Sequence, residues 1–157
     1  MTEAVRAAAL VVAALNAVAG LLGALVWRGG DPSGRERSAT TAFWTILRVG
    51  QGSALALAIA VGSLAAAGHF SSAKLFYLYA LLPLAVAFVA EQLRAASAQT
   101  ILDQHGLESA AAVGELPERE QHELVAAIVR REIGVMALSA LVVVFLALRA
   151  ASTAHGF

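Results

Sequence analysis

Four apolar stretches, each long enough to cross a lipid bilayer, occupy most of this 157-residue chain. A helix needs about 20 predominantly apolar residues to cover the hydrocarbon core. Runs of that kind lie at about 5–27, 41–67, 74–94 and 125–149. No strand is predicted. The expected fold class is therefore an all-α integral membrane protein, a single four-helix transmembrane domain in which the helices alternate up and down.

Composition agrees with lipid rather than water as the main solvent. Hydrophobic residues make up 59% of the chain, charged residues 14%, and the mean hydropathy is +0.74. A soluble domain carries roughly a quarter charged residues. With no cysteine, disulfides, thiolate metal sites and cysteine nucleophiles are excluded. Of the 11 basic residues only Lys74 is a lysine. Together with the abundance of alanine, this points to a GC-rich bacterial source. The first run, from Ala7 to Trp27, exceeds a signal-peptide core and follows only Arg6, so it reads as a retained span.

The connections differ in kind. Gly29, Gly30, Asp31, Pro32, Ser33 and Gly34 form a cluster of turn formers within a short polar loop over 28–40. The second link, 68–73, is tighter. There Gly68 suits a helix C-cap and Ser71 or Ser72 the next N-cap, making spans two and three antiparallel neighbours. In the third link the helical pattern runs past Glu91 to His105 with no breaker before Gly106. Pro117 then opens a new helix as a first-turn proline, with Glu118 and Glu120 at its positive end. On the two extensions Ala95, Ala98, Ile101 and Leu102 share one face, and Leu124, Val125 and Ile128 another. These stripes predict a helical hairpin over about 95–124 that stands in water. It carries Asp103, Glu108, Glu115, Glu118, Glu120 and Glu123 against Arg119 alone.

Orientation follows from the cations. Arg28, Arg35, Arg37, Arg48, Arg94, Arg119, Arg130 and Arg131 fall on one side, and Arg6, Lys74 and Arg149 on the other. The positive-inside rule puts the larger set, and with it the hairpin, in the cytoplasm and both termini outside a bacterial plasma (inner) membrane.

Two sets of residues are candidates for function. In the first span Ala9, Ala13, Asn16, Gly20 and Gly23 line one helix face, and Gly52, Ala56 and Ala60 form a similar track in the second. Small residues let backbones approach, and an asparagine can hydrogen-bond across the contact. The main expectation is internal packing; a homo-oligomer seam or a substrate path is the alternative. The other set is an interfacial charge cluster of Arg48, Gln51, Glu91, Arg94, Arg130, Arg131 and Glu132, with Trp44 on the face of Arg48. Charges at a span end either pair with one another or snorkel to headgroup phosphates. Pairing of Arg48 with Glu91 or Glu132 is one expectation, and topology-marking arginines the other.

Enzymatic, cofactor and metal chemistry have little support. A lipid-headgroup enzyme could use the arginines and a carboxylate, but no paired acids, metal-ligand spacing or nucleophile with a base accompanies them. None of His69, His105, His122 and His155 lies inside a span, as haem ligation requires, so no cofactor is expected. Pro83 removes a backbone donor in mid-span and bends the third helix, as a static bend rather than a gating hinge, and Phe76, Tyr77, Tyr79, Phe43 and Trp44 suit interfacial belts. Nucleic acid is set aside, because the longest polar segment is acidic. The expected partners are the lipid bilayer and a protein partner or second copy. The leading function is a non-enzymatic scaffold or accessory subunit; a small oligomeric transporter or channel comes second, and a lipid-headgroup enzyme third.

Overall fold

A computed structural model describes residues 2–29, 34–107 and 110–155, with the side chains of 34–37 and 110 left aside. The described residues form five helices and no strand: α1 (Thr2–Gly29), α2 (Gly34–Ala66), α3 (Lys74–Gln104), the single turn α4 (Ala110–Val113) and α5 (Glu118–Thr153). All but α4 are long and apolar enough to cross a membrane. The chain thus has the make-up of a multi-pass membrane protein.

The long helices form a ring in which α1 packs on α2 and α5, and α3 closes the ring against α5 and, over a smaller contact, α2. Gly23 lies against Phe43 and Ala137, whereas Gly20 lies against Leu141 and Gly50 against Asn16. Residue numbers therefore rise along α1 as they fall along both neighbours. Two apolar clusters fill the ring. One is built from Val5, Val12, Leu57, Val61, Phe76 and Val143, the other from Phe43, Leu47, Ile133 and Met136. Alanine supplies much of the rest, so the helices meet largely through shape and dispersion contacts.

Helix ends depart from expectation in instructive ways. α2 begins at Gly34, seven residues before the apolar run, so residues 34–40, expected in the loop, belong to the helix. The turn expected at Gly30, Asp31, Pro32 and Ser33 lies outside the described residues. Gly68 and Gly106 end α2 and α3 with φ of 84° and 68°. In each case the next residue's N–H reaches back five positions, His69 to the Leu64 carbonyl and Leu107 to the Leu102 carbonyl, closing a Schellman turn that a Cβ would strain.

The expected serine N-cap of α3 is absent. The cap position is Ala73, without a side-chain cap bond. Ser71 Oγ and Ser72 Oγ instead donate to the His155 carbonyl, at 2.9 and 3.2 Å, and Ser72 N–H donates to the same oxygen at 3.1 Å. The serines thus tie the α2–α3 turn to the chain beyond α5. Pro117 sits one position earlier than expected, as the N-cap residue of α5 rather than in its first turn.

The C-terminal end of α3 and the N-terminal end of α5 share a third cluster of Ile101, Leu102 and Leu124, flanked by Leu107, Val113, Leu116 and Ile128. Ile101, Leu102, Leu124 and Ile128 lie in it as the sequence predicts, and only the smaller members of the two stripes and Val125 depart. Ala95 and Val125 point outward, and Ser97, 1% exposed, turns inward with its hydroxyl bonded to the Leu93 carbonyl. Alanine is too small to force a face, and the serine hides its polarity in its own helix.

Candidate functional site

The charged residues converge at one end of the ring, on Glu91. Arg48, projecting from α2, donates from Nη1 to Glu91 Oε1 at 2.5 Å and to Gln51 Oε1 at 2.8 Å. Gln51 Nε2 approaches the same Glu91 oxygen at 3.4 Å. The other oxygen, Oε2, accepts from Arg94 Nε at 2.9 Å. Arg94 also reaches toward Glu132 of α5, Nη1 to Oε2 at 3.7 Å. One carboxylate therefore joins α2 to α3, and one arginine extends the chain of charges to α5. This joins helices whose packed contact, at α2–α3, is otherwise the smallest in the ring.

Arg130 and Arg131 stand apart. Arg131 is exposed, while Arg130 places its guanidinium 5.3 Å from the ring centre of Trp27, across the α1–α5 seam. Arg94 bears on Trp44 in the same manner at 5.4 Å, and at the opposite end of the ring Arg149 covers Tyr79 at 5.4 Å. Each of these three contacts joins two different helices, and each is worth about 0.5–1 kcal/mol at an exposed position. Sequence reading found Arg130 but missed its partner. The available signal was Gly134, one turn beyond Arg130: a Cβ there would lie 3.2 Å from the Trp27 Nε1, so the glycine leaves room for the indole against α5.

The packing candidates divide. Ala9, Ala13, Asn16, Gly20 and Gly23 are all buried on the inner face of α1. Asn16, 1% exposed, bonds its Nδ2 to the Val12 carbonyl at 2.9 Å and lies flat on Gly50. Gly52, expected on the packing track of α2, faces outward with nothing within 4 Å of where a Cβ would stand, and Ala56 and Ala60 are likewise exposed. The inward track is Gly50, Ala54, Leu57, Ala58 and Val61. Phe43 and Phe76, expected at interfaces, are fully buried core residues.

Chemically the cluster is an ion-pair hub. Both Glu91 oxygens are engaged, which ill suits a general base. Among the described residues no three His, Asp or Glu side chains gather as metal ligands. His105 and His122 each turn a ring nitrogen to the carbonyl four residues back, on Ile101 and Glu118. No protein-family model, curated protein or solved structure matches this chain.

Proposed function

We propose that the chain is a four-span up-down bundle of a bacterial plasma membrane, with the overhang of α3 and α5 as a cytoplasmic hairpin, both termini outside, and a role as scaffold or accessory subunit. The reading rests on the overhang. At 1.5 Å per residue, α3 and α5 extend to about 46 and 54 Å, well beyond a hydrocarbon core of about 30 Å. The excess carries its own apolar cluster around Leu124, so it holds its shape away from the bundle. Its outer surface is acidic and suits a basic protein surface, in an association weakened by salt. The Glu91 hub fits the same role, since it fixes the inner helix ends from which the hairpin projects.

Glu118, Glu120 and Glu123 changed together to Gln, in the full-length protein, test this. In mild detergent the unaltered protein should retain a stoichiometric partner that elevated salt or the triple change releases. Retention through both, or a cytoplasmic signal from a reporter fused after Phe157, would overturn the reading.

The second reading, a small oligomeric transporter or channel, draws on the outward Gly52, Ala56 and Ala60 of α2, a small-residue track of the kind that lets helices of separate copies meet. A symmetric homo-oligomer that sustains flux in liposomes would favour it over scaffolding.

A further inference from the structure

At the inner ends of the helices the arginines have two different fates. Arg48 and Arg94 are neutralised by Glu91 and Glu132 on the α2–α3–α5 side. Among the described residues Arg130 meets no carboxylate, only the Trp27 ring, and Arg28 and Arg131 beside it are exposed.

Arg130 also lines a cleft of about 980 Å³ between α1, the start of α2 and α5. Its walls are largely apolar, with Val26, Trp27, Val125, Val129 and Ile133 among them. The other polar side chains of the α5 wall are already engaged. Glu123 pairs with Arg119 at 3.0 Å, Gln121 donates to the Leu116 carbonyl at 2.8 Å, and His122 bonds to the Glu118 carbonyl at 2.7 Å. Among the described residues the cleft therefore combines a long apolar surface with a guanidinium that meets no carboxylate.

We propose that this cleft binds an anionic glycerophospholipid, its phosphate on Arg130 and one acyl chain along Val26, Val129 and Ile133. The inference rests on the bilayer placement proposed above and is independent of the scaffolding role. Charge complementarity selects the occupant. A guanidinium without a carboxylate in a low-dielectric setting draws an anion, and at the membrane surface the abundant anion is a lipid phosphate carrying its own apolar chains. The Trp27 ring bears on the Arg130 guanidinium carbon at 5.3 Å and, among the described residues, no acceptor takes its N–H groups, which leaves them for a phosphate.

The experiment uses the emission of Trp27 in full-length protein carrying Trp44→Phe, reconstituted in phosphatidylcholine bilayers with a minor fraction of phosphatidylglycerol. The acyl chains of one lipid or the other are brominated to act as quencher. At equal mole fraction, brominated phosphatidylglycerol should quench as though enriched about five-fold at the site, the factor expected from one arginine near the surface. Arg130→Gln should remove the excess, and Arg149→Gln, at the far end, should leave it. Equal quenching by the two lipids overturns the site while leaving the bilayer placement intact. Absence of quenching by either overturns the placement and the site with it. Should Arg130→Gln fail to fold, the comparison of lipids on protein that retains Arg130 still decides.

Discussion

Asn16 of α1 lies across Gly50 of α2 so closely that a Cβ on the glycine would stand 3.0 Å from the asparagine nitrogen and 3.2 Å from its oxygen. The one buried amide of the first helix thus sits in a gap made by a missing side chain on the second. Replacing Gly50 with Ala should destabilise the protein by roughly 1–2 kcal/mol, since a buried amide flanked by backbone has little room to give. The cost should shrink when Asn16→Ala is added, because the pair is in direct contact. Gly52→Ala, two positions away with open space around it, should be neutral or stabilising by up to about 1 kcal/mol. Thermal unfolding in detergent ranks the variants, and equal losses at Gly50 and Gly52 would contradict the packing.

Two glycines of α1 should respond unequally to the same change. A Cβ at Gly23 would meet the buried Phe43 ring at 2.6 Å and the Ala137 methyl at 2.7 Å, neither of which can swing away. At Gly20 the obstacle at 2.7 Å is the tip of Leu141, a side chain with other rotamers. Gly23→Ala should therefore cost roughly 2–3 kcal/mol and Gly20→Ala about 1 kcal/mol or less. The same melting experiment, with both variants in one detergent, reads the order.

For the charge hub, a double-mutant cycle on Arg48 and Glu91 should return a coupling of about 1 kcal/mol, reduced by added salt. Exchanging the two charges, Arg48→Glu with Glu91→Arg, should fold better than either single change. The pair Arg119 and Glu123, whose side chains are 90% and 66% exposed, should show no measurable coupling. An Arg48–Glu91 coupling as small as that of the exposed pair would show that the hub contributes nothing to holding α2 on α3.

The proposed hairpin would rest on a small cluster, so one change should open it. Leu124, 3% exposed between Ile101 and Leu102, becomes an unpartnered buried charge in Leu124→Glu. In the unaltered protein limited proteolysis should cut only near the tip, about 107–117, where the long helices are interrupted. In the variant, cutting should spread through 95–123 while the spans stay protected. Rapid cutting throughout that stretch before any substitution would mean that the overhang is not held by its cluster.

Much of this structure was legible in the order of residues. Long apolar runs imply helices wherever they fall, and the left-handed glycines at 68 and 106 ended α2 and α3 where a Cβ would strain the turn. The convergence of Arg48, Gln51, Glu91, Arg94 and Glu132 could also be anticipated, because charged side chains at the ends of apolar helices have few places to go. Less legible was which face of α2 and of α3 turns inward. In α3 outward Leu81, Phe88 and Leu93 are as greasy as the buried side, so hydropathy offers no contrast from which to read a face. For the same reason Gly52 looked as good a packing residue as Gly50, and Phe43 looked like an interfacial anchor. Arg130 resting on Trp27 went unread as well, since the two are far apart in sequence and the one local hint was Gly134, whose missing side chain leaves room for the indole.

What the residues determined unaided was the number of long helices, the places where they break and the end at which charge collects, because solvation and backbone geometry act locally along the chain. The tertiary structure alone decided which glycine receives Asn16, which carboxylate Arg94 shares and which arginine is left facing an open cleft. Those outcomes depend on the fit of one helix surface to another, and shape complementarity between apolar faces leaves no trace in hydropathy.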